Sequence, residues 1–269
     1  MNNPVNDTAP EIIVGHHSIV QAIKNTQRPI GKLIGTSDGW AKMQSQYPFI
    51  SKLLKERGLQ FTSTSPELFA QQSEKLYRTN DFYYSRPPGE MLYLASARPA
   101  TDFSSLLKQL PPLVIVLDQV TDINNAAAIA RTAAFYGIHH IIMSRKGGFR
   151  LTPSCYRIAS GAFEFVQLTA VDSLTKVLNQ LKDRSYHLIG LSENTESSIN
   201  QQQKINAIHE SQQKICLVFG NEEKGISHAL LRIMDEIWPI NGESQEIKSL
   251  NVSVATAIMM DRFSRNSRK

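Results

Sequence analysis

Between residues 113 and 240 the chain returns six times to a short, β-branched apolar run: LVIVLD (113–118), HHIIMS (139–144), FEFVQLT (163–169), HLIGLS (187–192), KICLVFG (214–220) and EIWPI (236–240). Stretches of helical character separate them, among them the Ala-rich NNAAAIARTAAFYG and DSLTKVLNQLKDR. Runs that are apolar throughout belong to strands covered on both faces, and the helices between them supply the crossovers that parallel strands need. The second half is therefore expected to be α/β, a mostly parallel sheet with helices on both faces.

The first half repeats this rhythm more weakly. GKLIGTS, GLQFTSTS and EMLYLASA read as strands, and VGHHSIVQAIKN and SPELFAQQSEKLYR read as helices, giving a second, smaller α/β unit. The stretch ARPATDFSSLLKQLPP (97–112) holds three prolines and a short amphipathic segment, which marks a boundary. The division expected is a domain over 9–100, a linker over 101–112 and a second domain over 113–269. Residues 193–214 are rich in Gln, Asn and Ser with little periodicity and read as a polar surface excursion.

The apolar runs fall far short of the ~20 residues of a membrane helix. The N-terminus, MNNPVNDTAP, has neither a basic nor an apolar signal region, so a cytoplasmic location is expected. The two cysteines, Cys155 and Cys216, suggest neither a zinc site nor a disulfide framework, and Cys216 sits inside an apolar strand as a small buried thiol would. No metal is expected. The net charge of +5 is compatible with a polyanionic partner but is spread over both halves. A denser signal is Arg145, Lys146, Arg150 and Arg157, interleaved with Phe149 and Tyr156. These residues read either as a solvated loop or as an RNA-binding stretch in which cations meet phosphates and aromatic rings stack on bases.

Three clusters stand at the ends of expected strands, where ligands bind in such sheets. The first runs from Asp118 to Ala133 and contains Asn125 and Arg131; taken alone, Asn125 reads first as a helix cap and Arg131 as an exposed helical arginine. In the second, Gly220-Asn221-Glu222-Glu223-Lys224-Gly225, glycines flank acidic residues at a strand-to-helix turn and would let a ligand approach the backbone. With its two glutamates and no GK[ST] ending it suits a neutral or cationic ligand better than a phosphate. The third is Pro239-Ile240-Asn241-Gly242, a polar loop, then Ser249 to Ala255 opening a helix with Ser249 or Asn251 as its cap. No G-x-G-x-x-G follows the first strand of either half, which sets aside a dinucleotide-dependent dehydrogenase.

Together these clusters resemble the SpoU/TrmH family of RNA 2′-O-ribose methyltransferases. Asn125 to Ala133 is similar to its N-x-G-A-I-x-R-T-A pattern, with Ala127 in place of the usual glycine. Gly220 to Gly225 matches G-x-E-x-x-G, Ser249 to Ala255 matches S-L-N-V-S-V-A, and SGAFE (160–164) matches an S-G-A-x-E element. VGHHSIVQAI (14–23) is similar to the opening of the ribosomal-protein-like RNA-binding domain of two-domain members. The resemblance implies a trefoil-knotted C-terminal domain, a homodimer through that domain, and S-adenosylmethionine as cofactor. It implies a cofactor site around Leu217, Phe219, Gly220, Trp238, Ile240, Leu250 and Val254, and a catalytic group of Arg131, Asn125, Glu222, Ser249 and Asn251. The substrate implied is RNA, ribosomal RNA ahead of transfer RNA, and a catalytically inactive RNA- or ribosome-binding relative is the alternative. An arginine is effectively always protonated, so Arg131 is expected to clamp a phosphate beside the target ribose rather than to act as a base.

Overall fold

Two compact units make up the computed structural model, which describes residues 10–97, 102–192, 200–240, 246 and 249–264. Among these residues one unit takes those up to Ala97 together with Leu151–Glu164, and the other takes Asp102–Arg150 and those from Phe165 onward.

The first unit is built from β1 (Glu11–Val14), α1 (His16–Lys24), β2 (Lys32–Gly35), α2 (Ser37–Gln46), α3 (Ile50–Glu56), β3 (Phe61–Ser63), α4 (Pro66–Thr79) and β4 (Met91–Ala95). Its sheet runs in the order β1-β4-β2-β3, antiparallel except for the parallel pair β2–β3. Local chemistry sets the helix starts. Ser65 accepts a hydrogen bond from Leu68 N with Pro66 at the first helical position of α4, and Thr36 accepts one from Gly39 N at the start of α2. The apolar face of α1 buries Ile19, Val20, Ala22 and Ile23.

The second unit opens with α5 (Phe103–Gln109), which occupies the expected linker; Leu106 is fully buried in the unit's core. There follow β5 (Leu113–Leu117), α6 (Ile123–Phe135) and β6 (His140–Ser144). The chain then gives α7 (Pro153–Ala159) and a 3-10 turn (Ala162–Glu164) to the first unit. It returns with β7 (Gln167–Val171), α8 (Leu174–Lys182), β8 (Tyr186–Leu191), α9 (Gln201–Glu210), β9 (Lys214–Phe219), α10 (His228–Leu231), β10 (Glu236–Trp238) and α11 (Val252–Ser264). The sheet order is β10-β8-β9-β5-β6-β7, every pair parallel. Val114, Val116, Cys216 and Val218 pack with α5, α8 and α10 on one face, and the alternate residues Ile115, Leu117, Leu217 and Phe219 are buried on the other. Both faces are covered, as the unbroken apolar runs require.

Three readings change. FEFVQLT is not one strand: its first residues form the 3-10 turn, and pairing begins at Gln167. Part of the expected polar excursion is helix α9, capped by Asn200, which accepts from Gln203 N, and anchored by the buried Ile205; residues 193–199 lie outside the described residues. Phe149 and Tyr156 are both 2% exposed, with Tyr156 edge-on to Phe163, so these rings pack inside the protein and are not free to stack on bases. The four cations divide as well, Arg145, Lys146 and Arg150 in the second unit and Arg157 in the first.

At the β8–β10 edge, burial opposes ionisation of Asp235, but hydrogen bonds from Leu188 N (2.8 Å) and Lys182 outweigh it jointly. Burial likewise opposes ionisation of Glu236, and bonds from Lys204, Trp238 and His187 reverse it. Both carboxyls are held below the ordinary range. A depressed folded pKa gives stability that is present above the unfolded value and lost as pH falls through the folded one. Urea unfolding of the second unit is therefore expected to show stability flat near neutrality and falling below about pH 4, with Asp235→Asn making the fall shallower. An unchanged slope in that variant would remove Asp235 from the account.

Candidate functional site

Going from β5 to β6 and β7 the chain builds one side of the second sheet; β8 and β10 lie on the other side, and β9 fills the gap next to β5. The order reverses between β5 and β9, and in open parallel sheets ligands bind in the crevice beyond the strand ends at such a point. Asp118 and Gly220, the residues that follow these two strands, both line a cavity of about 790 Å³, within the size range of small-molecule sites.

Asp118 is 4% exposed, and its Oδ2 accepts from Ser227 N at 2.8 Å. Its own N–H donates to Phe219 O at 2.8 Å, which carries the β5–β9 pairing one residue further. After β9 the chain closes a tight loop: Asn221 and Gly225 exchange backbone hydrogen bonds of 3.1 and 2.9 Å, and Asn221 Oδ1 accepts from Glu223 N and Lys224 N. A Cβ at Gly220 would stand 2.1 Å from Gly225 C and 2.2 Å from Ile226 N. Glycine is required here by the loop's own backbone, and not only by the approach of a ligand. Gly225, at φ +66°, takes a conformation that glycine adopts without penalty.

A hydrogen-bonded chain joins the three sequence clusters. Asn125 Nδ2 donates to Glu222 Oε1 at 2.5 Å, and Asn251 Nδ2 donates to Asn125 Oδ1 at 3.0 Å. Asn251 Oδ1 accepts in turn from Ser253 N and Oγ at 2.9 and 2.6 Å. Asn125 is not the cap of α6. That role belongs to Asp122, which accepts from Asn124 N, while Asn125 lies inside the helix, 8% exposed. Asn251 does sit where a cap belongs, immediately before α11.

The remaining expected residues separate by position. Phe219, Gly220, Glu222, Ile240, Ser249 and Leu250 line the cavity. Leu217 is wholly buried in the centre of the sheet, and Val254 is half exposed on α11; neither lines it. The Trp238 ring is fully buried against Phe263, its Nε1 donating to Glu236 Oε2, so its side chain is a core element, although its carbonyl accepts from Ser192 N beside the cavity. Arg131 is exposed on α6 and lines no part of the cavity. Asn241 and Gly242 lie outside the described residues. Sequence reasoning missed Gln119, Leu191, Ser192, Ile237 and Leu231 as lining residues. Leu191, Ser192 and Gln119 were legible in principle, since each stands at or just beyond the carboxyl end of a parallel strand.

Arg145 is tied to Asp172 Oδ1 (3.1 Å) and Ala170 O (3.0 Å) at the end of β7. Burial pushes the Cys155 thiol up to about 12 and Cys216 higher still, so both are inert packing groups at neutral pH. Among the described residues no three His, Cys, Asp or Glu side chains gather as a metal site, and no helix is long and apolar enough to cross a membrane.

The family model described as SpoU rRNA Methylase matches residues 112–261. A 23S rRNA (guanosine-2′-O-)-methyltransferase, RlmB, of Pseudomonas putida is 32% identical over 154 residues, 56% of this chain and 58% of that protein. A Staphylococcus aureus protein, named for the TrmH family of tRNA/rRNA methyltransferases, is 28% identical over 256 residues, 93% of each chain. Among solved structures the SpoU methyltransferase AviRb of Streptomyces viridochromogenes superposes with a TM-score of 0.70 at 19% identity, covering 96% of this chain and 89% of its own, which is a likeness of fold. With its family model spanning the whole sheet and all three clusters around the cavity, the chain belongs to the SpoU rRNA methylase family.

Proposed function

We propose that the protein transfers a methyl group from S-adenosylmethionine to a ribose 2′-OH of structured RNA, with ribosomal RNA as the substrate. The observation that carries this reading is the Glu222–Asn125–Asn251 chain, which brings three clusters of one family pattern together at the edge of one cavity. The cavity suits the cofactor: Phe219, Ile237, Ile240 and Leu250 offer apolar contact, and Glu222 and Glu223 place negative charge near a cationic sulfonium. When bound, the cofactor supplies an already activated methyl group, and the protein supplies binding, orientation and electrostatics.

The residues of the chain do the rest. Ser249 and the Asn125–Asn251 pair offer hydrogen bonds to a ribose, and Glu222 fixes the rotamer of Asn125 by accepting a hydrogen bond from its amide. Arg131, exposed and without a partner among the described residues, is the clamp for a neighbouring phosphate. Arg145, Lys146, Arg150 and Arg157 add backbone contacts, and the first unit adds RNA affinity rather than chemistry. Ribosomal RNA is favoured over transfer RNA by this separate first unit and by the named substrate of the Pseudomonas relative. The same reading includes a cytoplasmic location, a trefoil knot and a homodimer through the second unit. The half-exposed Val254 of α11 and the 73% exposed Phe135 of α6, on two helices packed together, supply apolar surface for that contact.

Calorimetry on the pure full-length chain is expected to show S-adenosylmethionine binding without added metal. Ribose-methylation mapping of RNA from cells with and without the protein is expected to reveal one position in ribosomal RNA that loses its methyl group. A lost position in transfer RNA would redirect the substrate, and no binding of cofactor with or without RNA would end the assignment.

A further inference from the structure

Gln119 holds its backbone at φ +57°, in the left-handed region that side chains other than Gly, Asn and Asp seldom adopt. Six non-glycine residues in the described chain share that region, and Gln119 alone among them lines the cavity. Nothing local asks for glutamine there. Its carbonyl accepts from Asn221 Nδ2 at 3.0 Å, a bond that glycine would make as well, and its side-chain amide has no partner among the described residues. Backbone strain kept at the rim of a site, by a residue whose side-chain amide is hydrogen-bonded to no described residue, points to a use for that amide outside the protein.

Position says what the use is. Gln119 directly follows the buried Asp118, is itself exposed, and lies against the loop of Arg145 and Lys146: a Cβ at Gly147 would stand 3.6 Å from its Cγ. The residue therefore stands at the cavity rim, beside the loop that carries two exposed or half-exposed cations of the same unit. An amide offers one acceptor and two donors in a plane, the pattern that pairs with the edge of an unstacked base.

We propose that Gln119 reads the nucleobase of the nucleotide whose ribose enters the cavity, an inference that rests on the reading of that cavity as the RNA methyl-transfer site. It makes Gln119 a specificity-determining residue: its side chain discriminates between bases and contributes little to cofactor binding.

The test uses the full-length chain, S-adenosylmethionine carrying a labelled methyl group, and transcripts of the mapped RNA region with each of the four bases at the target nucleotide. Wild type is expected to prefer one base by about tenfold or more in kcat/KM. Gln119→Ala and Gln119→Gly should bring the four rates to within about threefold of one another, leave the cofactor Kd within about twofold, and leave thermal stability equal or, for glycine, higher, since glycine relieves the strain. Retention of the base preference by both variants would overturn the proposal, as would a large loss of cofactor affinity with the preference intact. Wild-type methylation is read in the same assay, so absence of any methyl transfer by the wild type marks failure of the underlying reading and not of Gln119 alone.

Discussion

Replacing Arg131 with alanine is expected to slow single-turnover methyl transfer by about 10²-fold or more, with the cofactor Kd changed by less than about twofold. The side chain is exposed on α6 and bonded to nothing within the described chain, so its removal breaks no internal contact and should change stability little. A helical side chain leans toward its helix N-terminus, and the N-terminal turn of α6 follows β5 at the edge of the cavity and carries Asn125. A guanidinium that grips a phosphate through two parallel hydrogen bonds fixes the adjoining ribose, and a charge-assisted bond of that kind contributes about 1.5–3 kcal/mol. Misplacing the hydroxyl on top of losing that bond multiplies the effect. Arg131→Lys should recover only part of the rate, because an ammonium keeps the charge but not the fork. Retention of more than about a tenth of the wild-type rate by the alanine variant would return Arg131 to an ordinary surface arginine.

How legible this site was depends on the range of the interactions that make it. The parallel sheet could be read because a strand buried on both faces must be apolar along its buried length, and LVIVL and the ICLVF of β9 are. The rims could be read because a strand end that turns into a helix needs glycines and caps, and Gly220, Gly225 and Asn251 are such residues. Strand order could not, since β9 enters between β8 and β5 by contacts that no local pattern encodes. The same limit misplaced Trp238. Its sequence neighbours Ile237 and Ile240 line the cavity, but the ring turns inward to Phe263, a residue 25 positions later. Helix α9 escaped because its polar face dominates and a single buried residue, Ile205, anchors it. The SGAFE element resembles part of a methyltransferase pattern, and its position along the chain points to the second domain. The structure gives it to the first unit, through a partner 136 residues away.

That partner is Arg28, and replacing Glu164 with alanine is expected to destabilise the first unit by about 3 kcal/mol or more. Arg28 has a side chain that is 0% exposed; its Nη2 meets Glu164 Oε1 at 2.8 Å, and its Nη1 meets Glu11 Oε2 at 2.7 Å and Ser96 O at 2.8 Å. Glu164, 4% exposed at its side chain, accepts as well from Arg28 Nε at 3.2 Å and from Asn25 Nδ2 at 2.8 Å. Burial opposes the charge on Arg28, and the hydrogen bond to Glu164, with the Glu11 and Glu164 carboxylates, overcomes it, so the guanidinium is held even more firmly protonated than in water. It cannot escape the loss of Glu164 by releasing its proton, which is why breaking a buried pair costs more than forming it contributes. The loss should be felt locally. Ser18 Oγ donates to Tyr156 O at 2.7 Å and Gly161 packs on Gln21, so Glu164 is one of several points that fasten the 151–164 segment onto α1 and β1. The two tryptophans make the effect measurable unit by unit, because Trp40 lies in the first and Trp238 in the second. In a Trp238→Phe background, urea unfolding followed at Trp40 should shift to lower denaturant by the amount stated for Glu164→Ala. The shift should be smaller for Glu164→Gln, which keeps an oxygen for Asn25 and Arg28. Equal shifts for the two would mean that packing, and not the charge of Glu164, holds the segment, and a shift under about 1 kcal/mol for alanine would mean that Glu11 and Ser96 satisfy Arg28 by themselves.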